Sequence, residues 1–395
     1  MLNEQYERML GQKSVIREMF AYGLERAKVI GAENVFDYSL GNPSVPPPEA
    51  FTREMARLLQ AESPVALHGY SPSLGIESVR QAVACSLARR FGLPYRAQHI
   101  FMASGAAGAL AHALRAVCAP GDEVLAFAPF FPEYAPYVAG AGLTLRVVPA
   151  DTRDFQIQFD ALEQLLTPKV AAVLINTPNN PSGVVYTTAT LQRLAALLRE
   201  KQAAWGRPIY LISDEPYREI VFPGVDAPYV AAQYENTLTC YSFSKSLSLP
   251  GERIGYVAAS PACAGAETII EMCGQISRCT GHNCPPSIIQ LAVGQCLDQT
   301  ADLSVYHTNM ELLYSELGRL GFSCAKPGGT FYIFPQALET DAVAFCKKAL
   351  EYDLLLVPGD SFGCPGFFRM AYCIDTEKVL RSLPALRRLA ASYGH

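Results

Sequence analysis

The chain has 395 residues, 50% of them hydrophobic and 17% charged, a balance too apolar for disorder and too mixed for a membrane bundle. At ~150 residues per domain the length allows two or three domains with a large core. With 32 Lys and Arg against 37 Asp and Glu, the net charge of -5 provides no basic field for nucleic acid or anionic lipid, so neither is an expected partner.

The start, MLNEQYERMLGQK, lacks a positive region followed by an apolar one, and no uncharged apolar run of about 18 residues follows, so neither secretion nor membrane spanning is expected. The 12 cysteines, spread from Cys85 to Cys373 without a C-x-x-C pair, fit a reducing cytoplasm, the expected location. Cys279, His282 and Cys284 match no zinc spacing. No metal site is expected, and the thiols read as core or surface residues.

The first ~45 residues open on a helical pattern and end in Gly41-Asn42-Pro43-Ser44-Val45-Pro46-Pro47-Pro48, whose prolines make a stiff crossing between domains. A helix over Ala106 to Val117 is introduced by Gly105 and closed by Pro120 and Gly121. Apolar, β-rich runs follow at Glu123 to Phe127, Thr144 to Val148, Val170 to Ile175, Ile209 to Ser213, Leu238 to Tyr241 and Ile254 to Ala258, with an amphipathic helix at Thr188 to Gln202. Continuous apolar strands alternating with helices predict a mostly parallel α/β sheet buried on both faces. From about Pro286 the pattern turns helical, through Met310 to Leu320, then gives short strands at Gly329 to Phe334 and Phe368 to Cys373, as in a smaller α+β domain. The expected division is 1–45, an N-terminal segment belonging to the small domain; 46–284, the large domain; and 285–395, the small C-terminal domain.

The most informative stretch is Tyr241-Ser242-Phe243-Ser244-Lys245-Ser246-Leu247-Ser248-Leu249-Pro250-Gly251-Glu252-Arg253-Ile254-Gly255-Tyr256. Serines with an arginine form a phosphate cradle, and a partly desolvated lysine among them has a lowered pKa and a nucleophilic amine. Lysine beside phosphate suggests pyridoxal phosphate held as a Schiff base. Such a cofactor needs a carboxylate at its ring nitrogen, and Asp214, at the carboxyl end of a strand, is placed where ligands bind in open α/β sheets. Tyr217 lies three residues on, where its phenol could donate to the ring oxygen. Asn180, in the loop Asn176 to Gly183, could bond a ring substituent at the same edge. Ser104-Gly105-Ala106-Ala107-Gly108 leads into a helix whose amides and dipole could bind phosphate.

Together these pieces resemble the class I/II aminotransferases, the aspartate-aminotransferase-like branch of fold type I pyridoxal phosphate enzymes. The resemblance covers nearly the whole chain. In family order the matching segments are Ser39 to Pro43, Tyr70 to Gly75, Ser104 to Gly108, Pro129 to Phe131, Asn176 to Gly183, Ser213 to Tyr217, Ser242 to Tyr256, Pro327 to Pro335 and Val357 to Tyr372.

The resemblance implies a large domain with a seven-stranded type of sheet covered by helices, plus the smaller domain. It implies that Lys245 is the Schiff-base and proton-transfer lysine and that Asp214 pairs with the pyridinium. Asn180 and Tyr217 would contact the ring oxygen. Ser242, Ser244, Arg253 and the Gly105-Ala106-Ala107 turn would hold the phosphate, while Phe131 stacks on the ring. Arg369 would grip the substrate α-carboxylate with two parallel hydrogen bonds, Asn180 and the Gly41 backbone helping to bind it. Tyr70 would reach the phosphate of a neighbouring subunit, implying a homodimer with shared sites.

The reaction implied is transamination between an L-amino acid and a 2-oxo acid with ping-pong kinetics. A carbon-sulfur β-lyase on the same cofactor is the alternative, and a non-enzymatic ligand-binding or regulatory domain a further one. Some aspartate-specific relatives carry a lysine where this chain has Ala107. Arg278 is then a candidate for a second substrate carboxylate.

Overall fold

The computed structural model describes residues 2, 4–10 and 15–395. Expectations that fall on residues 1, 3 and 11–14 lie outside the described residues. In chain order the strands are β1 (Phe36–Asp37), β2 (Ile100–Ala103), β3 (Glu123–Phe127), β4 (Thr144–Val148), β5 (Val170–Asn176), β6 (Tyr210–Asp214), β7 (Thr237–Ser242), β8 (Gly255–Ala259), β9 (Tyr332–Ile333), β10 (Leu354–Leu355), β11 (Val357–Pro358) and β12 (Phe368–Ala371).

Seven of them form one sheet in the order β2-β8-β7-β6-β5-β3-β4. The pairs among β3 to β7 are parallel, whereas β8 runs antiparallel to both β2 and β7. All seven residues of β5 are buried, which explains why its sequence is an unbroken apolar run ending in Asn176. Helices cover the faces. Gly105–Val117 buries Leu110 and Leu114 against Phe101 and Val257, and Thr188–Trp205 buries Leu191, Leu194 and Leu198 against Val173 and Leu211. Each such side chain contributes roughly 1.5–3 kcal/mol of apolar transfer. The second helix is fixed at both ends, by the Thr187 side chain accepting from the Thr190 amide and by Gly206 in the left-handed region.

Beside this lies a smaller unit. β9, β11 and β12 form an antiparallel sheet, and β1 pairs in parallel with β10, so Phe36 and Asp37 join a strand more than 300 residues later. Helices Ser304–Arg319, Ala342–Ala349 and Thr376–Ala391 pack on it through Leu313, Phe345 and Leu386, around Tyr38 and Phe331.

Several expectations shift. Ile100–Ala103 is a strand that the sequence reading left out. Of Gly329 to Phe334 only Tyr332–Ile333 is strand, because Gly329 bridges to Val221 instead and Thr330 takes a φ of 65°. Phe368 to Cys373 pairs only as far as Ala371, where the Ala371 and Tyr372 amides turn to the carbonyls of Tyr38 and Phe331. The helix Ser287–Gly294 buries Ile289, Ala292 and Val293 in the same core as Val79, Ile100 and Ile254, beside the large sheet. Among the described residues no helix is long and apolar enough to cross a membrane.

Candidate active site

One edge of the large sheet gathers the chemistry, and the register explains why. Asn176 ends β5 opposite Asp214, which ends β6, and Ser242 ends β7 opposite Gly255. Because β8 is antiparallel, its first residue lies at this same edge, so Arg253 is delivered there from just before the strand. β2 runs against β8 with Ala103 opposite Gly255, which brings the Ser104-Gly105 turn to the edge as well. Five separate segments thus converge on one place by pairing alone.

A cavity of about 550 Å³ opens at this edge. Among the residues lining it are Gly41, Ala106, Ala107, Phe131, Asn180, Asp214, Tyr217, Ser242, Ser244, Lys245, Arg253 and Arg369. Gly105 adjoins it at the start of its helix, in the left-handed region at φ +74°. A Cβ there would stand 2.7 Å from an Arg253 guanidinium nitrogen, so only glycine lets the helix start so close to the arginine.

Asp214 is buried. Its Oδ2 accepts from the Tyr134 hydroxyl at 2.6 Å, while its Oδ1 has no hydrogen-bond partner. Burial pushes its pKa up to about 7, against the pull of Tyr134, with the neighbouring Glu215 charge pushing it further up. A buried carboxylate oxygen with a free lone pair is an acceptor waiting for a cationic donor. Asn176 steadies both neighbours: its Nδ2 donates to the Asp214 carbonyl at 2.8 Å and its Oδ1 accepts the Asn180 amide at 2.7 Å.

Lys245 sits on the short helix Phe243–Ser246, begun by Ser242, whose side chain accepts from the Ser244 amide. The lysine Nζ donates to the Gly41 carbonyl at 2.7 Å and lies 5.3 Å from the Phe331 ring centre. Burial pushes its pKa down to about 8; Arg253 and Arg369 act in the same direction and Cys373 in the opposite one. Roughly a tenth of the amine is therefore neutral at pH 7, far more than for a lysine at its ordinary pKa.

Arg369 is buried on β12 with the ring of Tyr332 beneath it at 4.6 Å. One Nη donates to Asn180 Oδ1 at 3.1 Å and the other to the Ser39 carbonyl, while Nε has no partner. Gly41 lies against Tyr332, whose hydroxyl a Cβ at position 41 would overlap, and that hydroxyl is 3.1 Å from the Tyr217 hydroxyl. The chain from Ser39 to Gly41 thus bridges the arginine, the lysine and the tyrosine pair.

Two further expected participants lie on the surface of the chain. Tyr70 is fully exposed and lines a separate surface hollow of about 460 Å³. Arg278 is exposed near the end of the helix Ala266–Thr280, where it donates to Gln275 at 2.8 Å, and it does not line the active-site cavity. Cys279 is exposed, and the Cys284 thiol meets the carbonyls of Pro72 and Ser73. Sequence reasoning missed Tyr134, Asn176 and Tyr332, as well as Arg17, Glu133 and Tyr137, which also line the cavity. Tyr134 follows Pro129-Phe130-Phe131 closely, so that segment was the only signal available for it.

The aminotransferase class I and II family model matches residues 32–386. The chain is 31% identical over 366 residues to an aspartate aminotransferase of Thermotoga maritima, which covers 91% of this chain and 92% of that protein. It is 29% identical over 378 residues to aromatic-amino-acid aminotransferase 2 of Thermococcus litoralis, with 91% and 92% covered. The crystal structure of an amino transferase from Eubacterium rectale matches at a TM-score of 0.97 and 44% identity, with 100% of each chain covered.

Proposed function

The chain belongs to the class I and II aminotransferase family and is an aminotransferase, and on that premise we propose that it works with pyridoxal phosphate carried on Lys245. The donor set fits this group. A buried carboxylate with an unpartnered oxygen meets a ring nitrogen, a lysine whose pKa burial lowers meets an aldehyde, and a helix N-terminus with two serines and an arginine meets a phosphate. When bound, the cofactor supplies an electron sink for the charge left on the substrate Cα.

The chain's own residues then divide the remaining work. Asp214 Oδ1 keeps the ring nitrogen protonated, with Tyr134 fixing the carboxylate through Oδ2. Ser242, Ser244, Arg253 and the amides of Ala106 and Ala107 hold the phosphate, Phe131 stacks on the ring, and Asn180 and Tyr217 bond its oxygen. Arg369, with the unpartnered Nε and its partner Asn180, grips the substrate α-carboxylate and fixes which Cα bond faces the ring. Lys245, once released, takes the proton from Cα as a neutral amine and passes it on. The Ser39 to Gly41 segment covers the carboxylate and excludes water. A second substrate, a 2-oxo acid, runs the same steps backwards, giving ping-pong kinetics.

The observation that carries this reading is the unpartnered Asp214 Oδ1 in the same cavity as Lys245 and Arg369. Lys245→Ala is expected to abolish transamination while leaving the fold intact by circular dichroism; transamination by that variant at the wild-type rate would refute the reading. Release of pyruvate and ammonia from cystine without a 2-oxo acid acceptor would instead mark a β-lyase.

We propose further that two copies associate through the face carrying Tyr70, an aromatic side chain left fully exposed beside a large hollow. The division into two domains has its second limit nearer Leu303 than 285, because Ser287–Gly294 shares its core with the large sheet.

A further inference from the structure

Tyr217 follows β6 at the edge of the large sheet, whereas Tyr332 begins β9 in the small antiparallel one. Their hydroxyl oxygens lie 3.1 Å apart and their rings stand nearly perpendicular, at 81°. Both side chains are buried in the wall of the cavity, and among the described residues neither hydroxyl has another hydrogen-bond partner.

The small sheet fixes Tyr332 from two sides. Its amide donates to the Thr330 hydroxyl at 3.0 Å, and it stands opposite Ala371, so Arg369, two residues earlier on β12, is its diagonal neighbour on the same face. That register sets the guanidinium over the Tyr332 ring at 4.6 Å. Gly41 closes against the Tyr332 hydroxyl on its other side.

The two phenols hold one O–H each. A Tyr217 proton given to the cofactor's ring oxygen is not available to Tyr332, so the 3.1 Å contact persists only with Tyr332 as its donor. The electrostatics favour the same direction. Burial pushes Tyr332 up to about 12 and Tyr217 well above its ordinary range, and Arg369 offsets burial most directly at Tyr332, whose ring it covers. The more acidic phenol is the better donor.

We propose that Tyr332 is a positioning residue for the cofactor, its hydroxyl donating to Tyr217 and so committing the single Tyr217 proton to the ring oxygen. A phenol that accepts one hydrogen bond is polarised into a stronger donor of another. A strong donor stabilises negative charge on the ring oxygen, so the visible band of the loaded protein titrates at a lower pH than it otherwise would. Hydroxyl and ring then do separate work: the hydroxyl acts on the cofactor through Tyr217, and the ring supports Arg369 at the substrate carboxylate.

This rests on Tyr217 bonding the ring oxygen, and a double-mutant cycle separates the two claims. The pH midpoint of the visible band is measured in the pyridoxal phosphate-loaded wild type, Tyr332→Phe, Tyr217→Phe and the double variant, with circular dichroism to check the fold. Tyr217→Phe is expected to raise the midpoint by about 1 unit or more, and Tyr332→Phe by about 0.3 to 1 unit. In the Tyr217→Phe background, Tyr332→Phe should move it by less than about 0.2 unit, because the hydroxyl then has nothing to act through. Tyr332→Phe keeps the ring under Arg369, so KM for the amino acid should change less than about threefold. Tyr332→Leu removes the ring as well; it should shift the midpoint as far and in addition raise KM about tenfold.

An unmoved midpoint in both Tyr332 variants, or an equal shift with and without the Tyr217 hydroxyl, would overturn the role of Tyr332 and leave Lys245 and Tyr217 as assigned. A midpoint that Tyr217→Phe does not move would overturn the placing of Tyr217 at the ring oxygen, and the role of Tyr332 with it.

Discussion

The Nζ of Lys245 donates to the carbonyl oxygen of Gly41 across 2.7 Å, joining the short helix that follows β7 to the segment that leads out of β1. The same segment accepts from Arg369 through Ser39 and touches Tyr332 through Gly41. The lysine that reacts, the arginine that orients and the backbone that covers them are therefore mechanically one unit.

Substituting Gly41 tests that unit without altering a reacting side chain. Gly41→Ala puts a methyl group into the Tyr332 hydroxyl, so the segment must move away from Arg369. KM for the amino acid is expected to rise about tenfold or more, with cofactor absorbance retained. Steady-state kinetics beside a cofactor titration would show it, and unchanged KM would mean that the segment does not cover the substrate.

Asp214 makes the cofactor-free protein sensitive to pH. Its folded pKa of about 7 is above the ~3.9 of an unfolded aspartate, so the folded protein holds this proton more tightly. The resulting stability is fully present below about pH 4 and is lost as pH rises through 7, a change of up to about 4 kcal/mol. Lys245, depressed to about 8, acts the other way: stability is regained from there towards its ordinary 10.5, as the ammonium buried in the fold loses its charge. Asp214→Asn should flatten the loss between pH 4 and 7 in urea titrations of the cofactor-free protein. Tyr134→Phe, which removes the donor at Oδ2, should enlarge the total loss and extend it to higher pH.

Arg369 is buried with one nitrogen unpartnered, a cost that an incoming carboxylate offsets. Arg369→Lys keeps the charge but loses the paired donors and the stacking on Tyr332. Its kcat/KM should fall about 10²- to 10³-fold for amino acid and 2-oxo acid alike, with little effect on cofactor binding. A fall confined to one of the two substrates would show that they do not share this arginine.

Much of this was legible in the residues because both the strand runs and the sites at their ends are local patterns. Asp214 and Ser242 close apolar runs, so a parallel sheet delivers them to one edge. The direction of β8 was not legible, since an apolar run reads the same either way, and Ile100–Ala103 is too short a run to stand out. Tyr134, Tyr332 and Arg17 reach the site through packing of elements distant in sequence, which no local pattern encodes. Arg278, which a loop of suggestive residues made attractive, is carried by its helix to the surface, where it donates to Gln275.

The most direct measurement is the absorption spectrum of the protein loaded with pyridoxal phosphate, before and after one amino acid is added with no 2-oxo acid acceptor. A visible band that is absent in Lys245→Ala, and that converts to the cofactor's amine form with one 2-oxo acid released per site, is expected. A band that forms equally well in Lys245→Ala, or that no amino acid converts, would contradict the assignment of Lys245 and with it the transamination chemistry proposed for this site.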